Sequence, residues 1–309
     1  MVGNSSVWSR SNQTMHPSSI VSVLLVLGLV TGWLLLYSVS IVGALWRMRE
    51  PNAPTPVLSV SDQRADLVAL AVQMSLGFIA IGLTLLLRRR TLAAVLPERR
   101  GTALDASIAW CAAIAGASAV VLVLAQLGLA RFDFSVPAVV ASPWLAVASA
   151  LATGLREEPL LAALPVLLLS GRLPIGWIIV LAATMRGLLY VYFGFGGFVW
   201  AFLWGAAAAW VYFRFRRLWV LILLHGLVMN MQALDRVITD DNAATILQWC
   251  NILVLFGALL CWLVPRALDA VLPGESEVPA VDGHTGSDTV DLHEVPPTVQ
   301  LPTEDADRV

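Results

Sequence analysis

The sequence has little charge, no lysine and few cysteines. Only 13% of its 309 residues are charged, and the 19 basic residues are all Arg. Because soluble domains carry about 25% charged residues, this composition excludes a soluble enzyme. The absence of Lys is typical of a GC-rich genome and suggests a bacterial origin. The three cysteines lie in apolar runs, where free Cys behaves as a small hydrophobic residue, so we expect no disulfide framework and no metal cluster.

Long apolar runs fill most of the chain. Hydrophobic residues make up 58% of the sequence, and the mean hydropathy is +0.79. The runs are continuous rather than alternating, which argues against an outer-membrane barrel. Since about 20 apolar residues form one helical span, the sequence predicts an all-α, polytopic integral membrane helix bundle of about eight transmembrane helices, near residues 20–46, 67–87, 106–130, 137–155, 175–193, 197–213, 218–234 and 246–264. A further apolar stretch, 159–170, is too short to cross, and we expect it to continue the fourth span or to lie along the interface.

The distribution of arginine predicts the orientation of these spans. Short loops rich in Arg stay in the cytoplasm, and with the N-terminus inside, twelve Arg fall on the inner side and five on the outer side. We therefore expect a multi-pass protein of the bacterial plasma membrane with both termini cytoplasmic. We divide the chain into a polar N-terminal segment (1–19), N-terminal transmembrane helices (20–135), a membrane core (136–265) and a disordered acidic cytoplasmic tail (266–309), which holds ten acids and two Arg.

A few polar residues interrupt the apolar runs. Glu157 and Glu158 lie at the inner end of the fourth predicted span, and His225 lies within the seventh. Ionisable groups at bilayer depth are costly, so they usually face a cavity, pair with each other or serve function. Arg186 and Tyr190 are four residues apart in the fifth span and share one helix face. Since neighbouring helical residues point about 100° apart, we expect at most one Glu to face a shared cavity, which would open to the cytoplasm.

These residue types fit hydrolysis of an amide. A carboxylate can act as general base towards water, while an imidazole or a carboxamide stabilises the oxyanion. A single membrane His cannot build the His-rich site that zinc prefers, so we expect no metal and no cofactor.

The order of these residues resembles the CPBP family of intramembrane glutamic endopeptidases, which includes the CAAX prenyl proteases and bacteriocin-processing or immunity proteins. That family carries EExxxR, then FxxxH, then HxxxN or HxxxD. Here the Glu157-Glu158 pair, the Arg186 to Tyr190 segment and His225 follow in the same order. The resemblance covers roughly residues 140–235, and we therefore take the membrane core, 136–265, as CPBP-like.

The family pattern is incomplete at three positions. Ala162 replaces the Arg of the first motif, Tyr190 replaces the His of the second, and Met229 stands where the last Asn or Asp is expected. Asn230 comes one residue later, and five helical residues turn about 140°. It would therefore share the face of His225 only if the helix were kinked or widened by a π-bulge.

The resemblance implies roles for the matching residues. Glu157 would be the base that activates water, Glu158 its support and His225 the donor to the oxyanion, with Arg186, Tyr190 and Asn230 lining the site. Each also has a structural interpretation: an interfacial carboxylate pair beside Arg156, a salt bridge from Arg186 to one Glu, or helix packing and hydrogen bonding by the other three.

Two functions remain open from the sequence. The first is an intramembrane endopeptidase, active or degenerate, that cuts a membrane-associated peptide or protein near the cytoplasmic face. The second is a non-catalytic membrane scaffold or chaperone that binds a peptide or lipid chain in the same cavity. A transporter ranks last, because the sequence has no internal symmetry. The lipid bilayer is the other expected partner, we expect no nucleic acid, and the sequence sets no oligomeric state.

Overall fold

The long apolar runs form helices. The computed structural model describes residues 19–50, 57–91, 101–130, 139–235 and 241–271. The α-helices in these residues are α1 (Ser19–Arg49), α2 (Val60–Thr91), α3 (Ala103–Gln126), α4 (Pro143–Glu157), α5 (Leu164–Leu169), α6 (Ile175–Leu189), α7 (Gly194–Phe215), α8 (Leu218–Asp235) and α9 (Asp241–Val271). A π-helical turn, Glu158–Ala163, joins α4 to α5, and a 3₁₀ turn, Val191–Phe193, precedes α7.

The predicted fold class, an all-α membrane helix bundle, is confirmed. Within the described residues, five helices are long and apolar enough to cross a membrane: Ile20–Arg47, Val60–Arg88, Ala103–Gln126, Val191–Phe215 and Thr245–Ala267. The helices Ile175–Leu189 and Leu218–Met231 are apolar but shorter. The number of spans and their orientation therefore remain predictions.

The fourth predicted span is longer than expected. Helix α4, the π-turn and α5 form one uninterrupted helical segment of 27 residues, from Pro143 to Leu169. The apolar stretch 159–170 thus continues the fourth span, which was one of the two expected arrangements. Glu157 and Glu158 stand near the middle of this helical segment, and their predicted place at the inner end of a membrane span stays a prediction.

A short strand pair and an amide bridge align two of the helices. Strands β1 (Val57–Leu58) and β2 (Val139–Val140) pair in parallel, so the starts of α2 and α4 lie at the same end of the bundle. The Gln63 side chain donates to the Ser142 carbonyl at 3.0 Å and accepts from the Ser142 amide at 2.7 Å. These bonds hold α4 beside α2.

Small residues bring the central helices into backbone contact. Apolar helices gain little from the hydrophobic effect inside lipid, so close packing between small residues replaces it. A Cβ at Gly154 on α4 would lie 2.2 Å from the Ile222 carbonyl oxygen on α8, and one at Gly226 would lie 2.6 Å from the Leu151 carbonyl oxygen. Gly205 on α7 similarly faces Arg186 on α6. These contacts determine which side chains meet at the centre.

The bundle is packed at its centre and apolar on its outside. The core consists mainly of residues from α3, the π-turn, α5, α6 and α7, whereas the apolar segment of α9 has no buried residue. Helix α9 continues to Val271, so the start of the tail, 266–271, is helical rather than disordered. Residues 1–18 and 272–309 lie outside the described residues, and the predicted domain boundaries remain predictions.

Candidate active site

The π-turn directly after Glu157 brings both glutamates to the same place. Pro159 lacks the N–H that a regular helix needs, and its ring crowds the carbonyl four residues earlier. The helix widens here, and the Leu164 amide donates to the Pro159 carbonyl five residues back. Because a π-turn holds more residues per turn, successive side chains point less far apart. The expectation that at most one Glu faces the shared site is therefore wrong: both contact His225.

Glu158 links α6 to α8. Its Oε1 lies 2.9 Å from Nη1 of Arg186 and 2.7 Å from Nδ1 of His225. The salt bridge from Arg186 to one glutamate, expected from the sequence, is present. Beside a guanidinium, an ionised carboxylate can only accept hydrogen bonds, so Nδ1–H of His225 donates to Glu158. In the neutral form of the ring, the lone pair resides on Nε2.

Glu157 faces the other nitrogen of the same ring. Its Oε2 lies 3.8 Å from Nε2 of His225 and accepts a hydrogen bond of 3.3 Å from the Tyr190 hydroxyl. Its Oε1 accepts from Nη2 of Arg156 at 2.6 Å. Tyr190 directly follows α6, one turn beyond Arg186, so the four-residue spacing brings both side chains to the glutamate pair.

The polar cluster is closed to solvent. It consists of Glu157, Glu158, Arg186, Tyr190 and His225. Each of the five is at most 5% exposed, so the structure holds a closed cluster instead of the cavity open to the cytoplasm that the sequence predicts. Two carboxylates face two guanidiniums, those of Arg156 and Arg186, with the imidazole between them. Buried ions are tolerated when they are paired in this way.

Sequence analysis missed three residues that shape this cluster. The ring centroid of Trp204 on α7 lies 4.4 Å from Cζ of Arg186. The same ring meets the His225 ring edge to face, with the two centroids 4.6 Å apart. Arg156 was considered only as a neighbour of the glutamates. Tyr37 on α1 donates to the Arg156 carbonyl at 3.5 Å. The spacing of Trp200 and Trp204 by four residues among Gly and Ala was the available signal for an aromatic face on α7.

Asn230 lies on α8, five residues after His225. Helix α8 is regularly α-helical from Leu218 to Asp235, so the widening that would turn Asn230 to the face of His225 is missing. Its amide oxygen is buried and has no hydrogen-bond partner among the described residues. On a regular helix Asn230 points about 140° away from His225, and its role as a site-lining residue stays a prediction. The π-turn occurs in the helix of the glutamates instead.

The chemistry of the cluster is that of proton transfer. Two carboxylates, an imidazole and a phenol can hold and move protons, while the two guanidiniums supply a fixed positive field. Within the part of the chain that the structure describes, no group of three or more His, Cys, Asp or Glu side chains is placed to hold a metal ion. The catalytic roles of Glu157, Glu158 and His225 stay predictions.

Comparison with known protein families gives a match inside the chain. Residues 139–231 match the family described as type II CAAX prenyl endopeptidase Rce1-like. No curated protein and no solved structure matches the chain. The matched residues run from β2 into α8 and include every member of the cluster, and only the contact from Tyr37 lies outside them. The resemblance to the CPBP family expected from the three motifs is thus confirmed, and residues 139–231 form an Rce1-like segment.

Proposed function

We propose that this protein is an intramembrane endopeptidase of the CPBP type that cleaves a membrane-associated peptide or protein with a glutamate-activated water. One observation carries the proposal: His225 contacts Glu157 through one ring nitrogen and Glu158 through the other. Burying an imidazole and two carboxylates at the centre of an apolar bundle costs free energy. An imidazole held between two carboxylates is a natural arrangement for proton transfer.

Glu157 is the proposed general base. A water beside its Oε2 and Nε2 of His225 would meet two acceptors 3.8 Å apart, and both would orient its protons. Glu157 takes one proton as the water oxygen attacks the scissile carbonyl, and then passes it to the leaving amine. General base catalysis of this kind contributes about 10²- to 10⁴-fold.

The other residues receive supporting roles. Glu158 and Arg186 hold the His225 ring in one tautomer, with the Nε2 lone pair towards Glu157. This differs from the role of oxyanion donor that the resemblance implies for His225, since the neutral ring has no N–H on that side. We assign the Tyr190 hydroxyl as the donor to the oxyanion. Its one proton is donated to Glu157 before the reaction and turns to the oxyanion once Glu157 has taken the proton of the water.

A non-catalytic membrane scaffold is the second candidate. It is favoured by the closed, charge-balanced cluster, in which each glutamate has an arginine partner. In this case the ion pairs would hold the helices together and a peptide or lipid chain would bind elsewhere on the bundle. The two candidates differ in whether Glu157 is needed for cleavage or only for folding.

The test is a cleavage assay with the purified full-length protein in liposomes. The probes are a quenched fluorogenic farnesylated CAAX peptide and the same peptide without its prenyl group. A wider search for substrates compares the newly formed protein N-termini in membranes of cells that produce wild type with those in membranes of cells that produce Glu157→Gln. We expect Glu157→Gln and His225→Ala to lower the cleavage rate at least about 10²-fold.

The control is Glu50→Gln, which neutralises an exposed carboxylate outside the cluster and should cleave like wild type. Folding of every variant is checked by its melting temperature. Equal cleavage by wild type, Glu157→Gln and His225→Ala would overturn the proposal. Peptide binding by wild type without any cleavage would support the scaffold instead.

A further inference from the structure

A second polar region lies at one end of the bundle, away from the glutamates. There the structure contains a cavity of about 230 Å³ between α1, α2 and the end of α5. Its wall is mainly apolar, with two arginines and one hydroxyl, and it consists of Val21, Leu25, Thr84, Leu87, Arg88, Leu168 and Arg172. The cavity shares no residue with the glutamate cluster, so a ligand bound there is independent of the proposed peptidase activity.

Arg88 is fixed at the edge of this cavity. Its side chain is buried, and Nη1 donates to the carbonyls of Leu167 and Ser170 at the end of α5. The last carbonyls of a helix carry partial negative charge and lack partners within the helix. These bonds hold the guanidinium in place beside the cavity.

The positive charges at this end of the bundle repel each other. Arg88 is repelled electrostatically by Arg172 and Arg216, which lie in the turns after α5 and α7. Within the described residues Arg172 has no carboxylate partner, and its Nε is buried without a hydrogen-bond partner. An anion between Arg88 and Arg172 would offset this repulsion and satisfy the buried donor.

We propose that this cavity binds the phosphate headgroup of an anionic membrane lipid, with the first part of an acyl chain against its apolar wall. Basic pockets between transmembrane helices suit such headgroups. Sites for whole drug-sized ligands measure about 300–1,000 Å³, so this cavity is too small for one. A lipid fits because only its phosphate headgroup and the first part of one acyl chain lie inside the cavity. The apolar residues Val21, Leu25 and Leu168 favour a lipid over a free anion.

The experiment measures lipid binding to the purified full-length protein in detergent. Dioleoyl phosphatidylglycerol and dioleoyl phosphatidylcholine are titrated separately, and bound lipid is counted by native mass spectrometry. We expect wild type to bind phosphatidylglycerol more tightly than phosphatidylcholine. One basic residue near the membrane surface is worth about fivefold in affinity, so Arg172→Gln should weaken phosphatidylglycerol binding by about that factor.

Two further variants separate this site from general charge and from folding. Arg214→Gln removes a partly exposed Arg of α7 that does not line the cavity, and we expect its affinity to stay within about twofold of wild type. Val21→Trp keeps all charges but fills the cavity from a half-exposed position on α1, and it should weaken binding as Arg172→Gln does.

Several outcomes would overturn the proposal. Equal affinity of wild type for the two lipids would remove the preference for an anion. Equal losses in Arg172→Gln and Arg214→Gln would point to the general positive field, and unchanged binding by Val21→Trp would place the lipid outside the cavity. Full displacement of phosphatidylglycerol by inorganic phosphate at the same concentration would identify a site for free phosphate.

Discussion

Arginine is used in two different ways in this protein. At the centre of the bundle, Arg156 and Arg186 each face a glutamate at 2.6 Å and 2.9 Å, so positive and negative charge balance within the chain. At the end of α2 and α5, Arg88 binds backbone carbonyls and is repelled by Arg172. At the centre each cation faces a carboxylate of the chain, whereas at the end two neighbouring cations line the cavity proposed to bind a lipid phosphate.

The difference follows from the cost of charge in a low-dielectric environment. A charge buried between packed helices is shielded from bulk water and from lipid headgroups, so its counter-charge must come from the chain itself. An arginine near the end of a helix can reach the headgroup region and take its counter-charge from lipid. Breaking a pair at the centre should therefore cost more than removing a cation at the end.

The largest effect is expected from Arg186→Met. It leaves Glu158 buried without its cation, and removing one partner of a buried pair typically costs about 3–5 kcal/mol in the free energy of unfolding. Titration with sodium dodecyl sulfate in mixed micelles measures this loss. The double variant Arg186→Met/Glu158→Gln should regain part of it, because the uncompensated charge is removed.

The matched control for this pair is Arg214→Met on α7, which is partly exposed and makes no ion pair within the described residues. Its free energy of unfolding should stay within about 0.5 kcal/mol of wild type. If Arg186→Met were as stable as this control, or if the two substitutions of the double variant simply added, the central pair would not be the compensated unit described above.

A smaller loss is expected from Gly154→Ala. The added Cβ would lie 2.2 Å from the Ile222 carbonyl oxygen, so α4 and α8 must separate, and overpacking of this kind costs about 1–3 kcal/mol. Any cleavage activity should fall more steeply, since a displacement of about 1 Å can cost roughly 10²-fold in rate. Unfolding and cleavage are measured on the same preparation.

Gly116→Ala on α3 is the control for that substitution. Its Cβ would meet nothing within 4 Å, and replacing a helical Gly with Ala gains up to about 1 kcal/mol. A Gly154→Ala protein as stable as the Gly116→Ala protein would show that α4 and α8 are not held in backbone contact.

The smallest effect is expected from Tyr190→Phe. The hydroxyl donates one buried hydrogen bond to Glu157, at 3.3 Å, and such a bond contributes about 1 kcal/mol. Tyr212→Phe, on the neighbouring helix, removes a hydroxyl with no hydrogen bond in the described structure and should be neutral. A Tyr190→Phe protein that unfolds like Tyr212→Phe but cleaves more slowly would assign Tyr190 to chemistry rather than stability.

Several elements of the site were predictable from residue spacing. Arg186 and Tyr190 are four apart, and both side chains do reach the glutamate pair. The order of the glutamates, Arg186 and His225 along the chain led to the expected family, which the match at residues 139–231 confirms. Spacing predicts such features because every regular helix turns by the same angle per residue.

Irregular geometry was not predictable in the same way. Pro159 indicates an irregular helix. It does not predict that the helix widens into a π-turn and brings Glu157 and Glu158 to the His225 ring. Helix α8 is regular, so Asn230 does not share the helix face of His225. Trp204 and Tyr37 reach the cluster from other helices, and no local pattern states which helices will be neighbours.

The amino-acid sequence by itself determined that this chain is a helical membrane protein with a handful of polar groups at depth, since hydropathy and helical periodicity are local properties. Only the tertiary structure decided that these groups pair into a closed, charge-balanced cluster while the arginines at the end of the bundle surround a cavity. Such pairing depends on backbone contacts between distant segments, such as Gly154 with Ile222. Those contacts are set by the packing of all helices together.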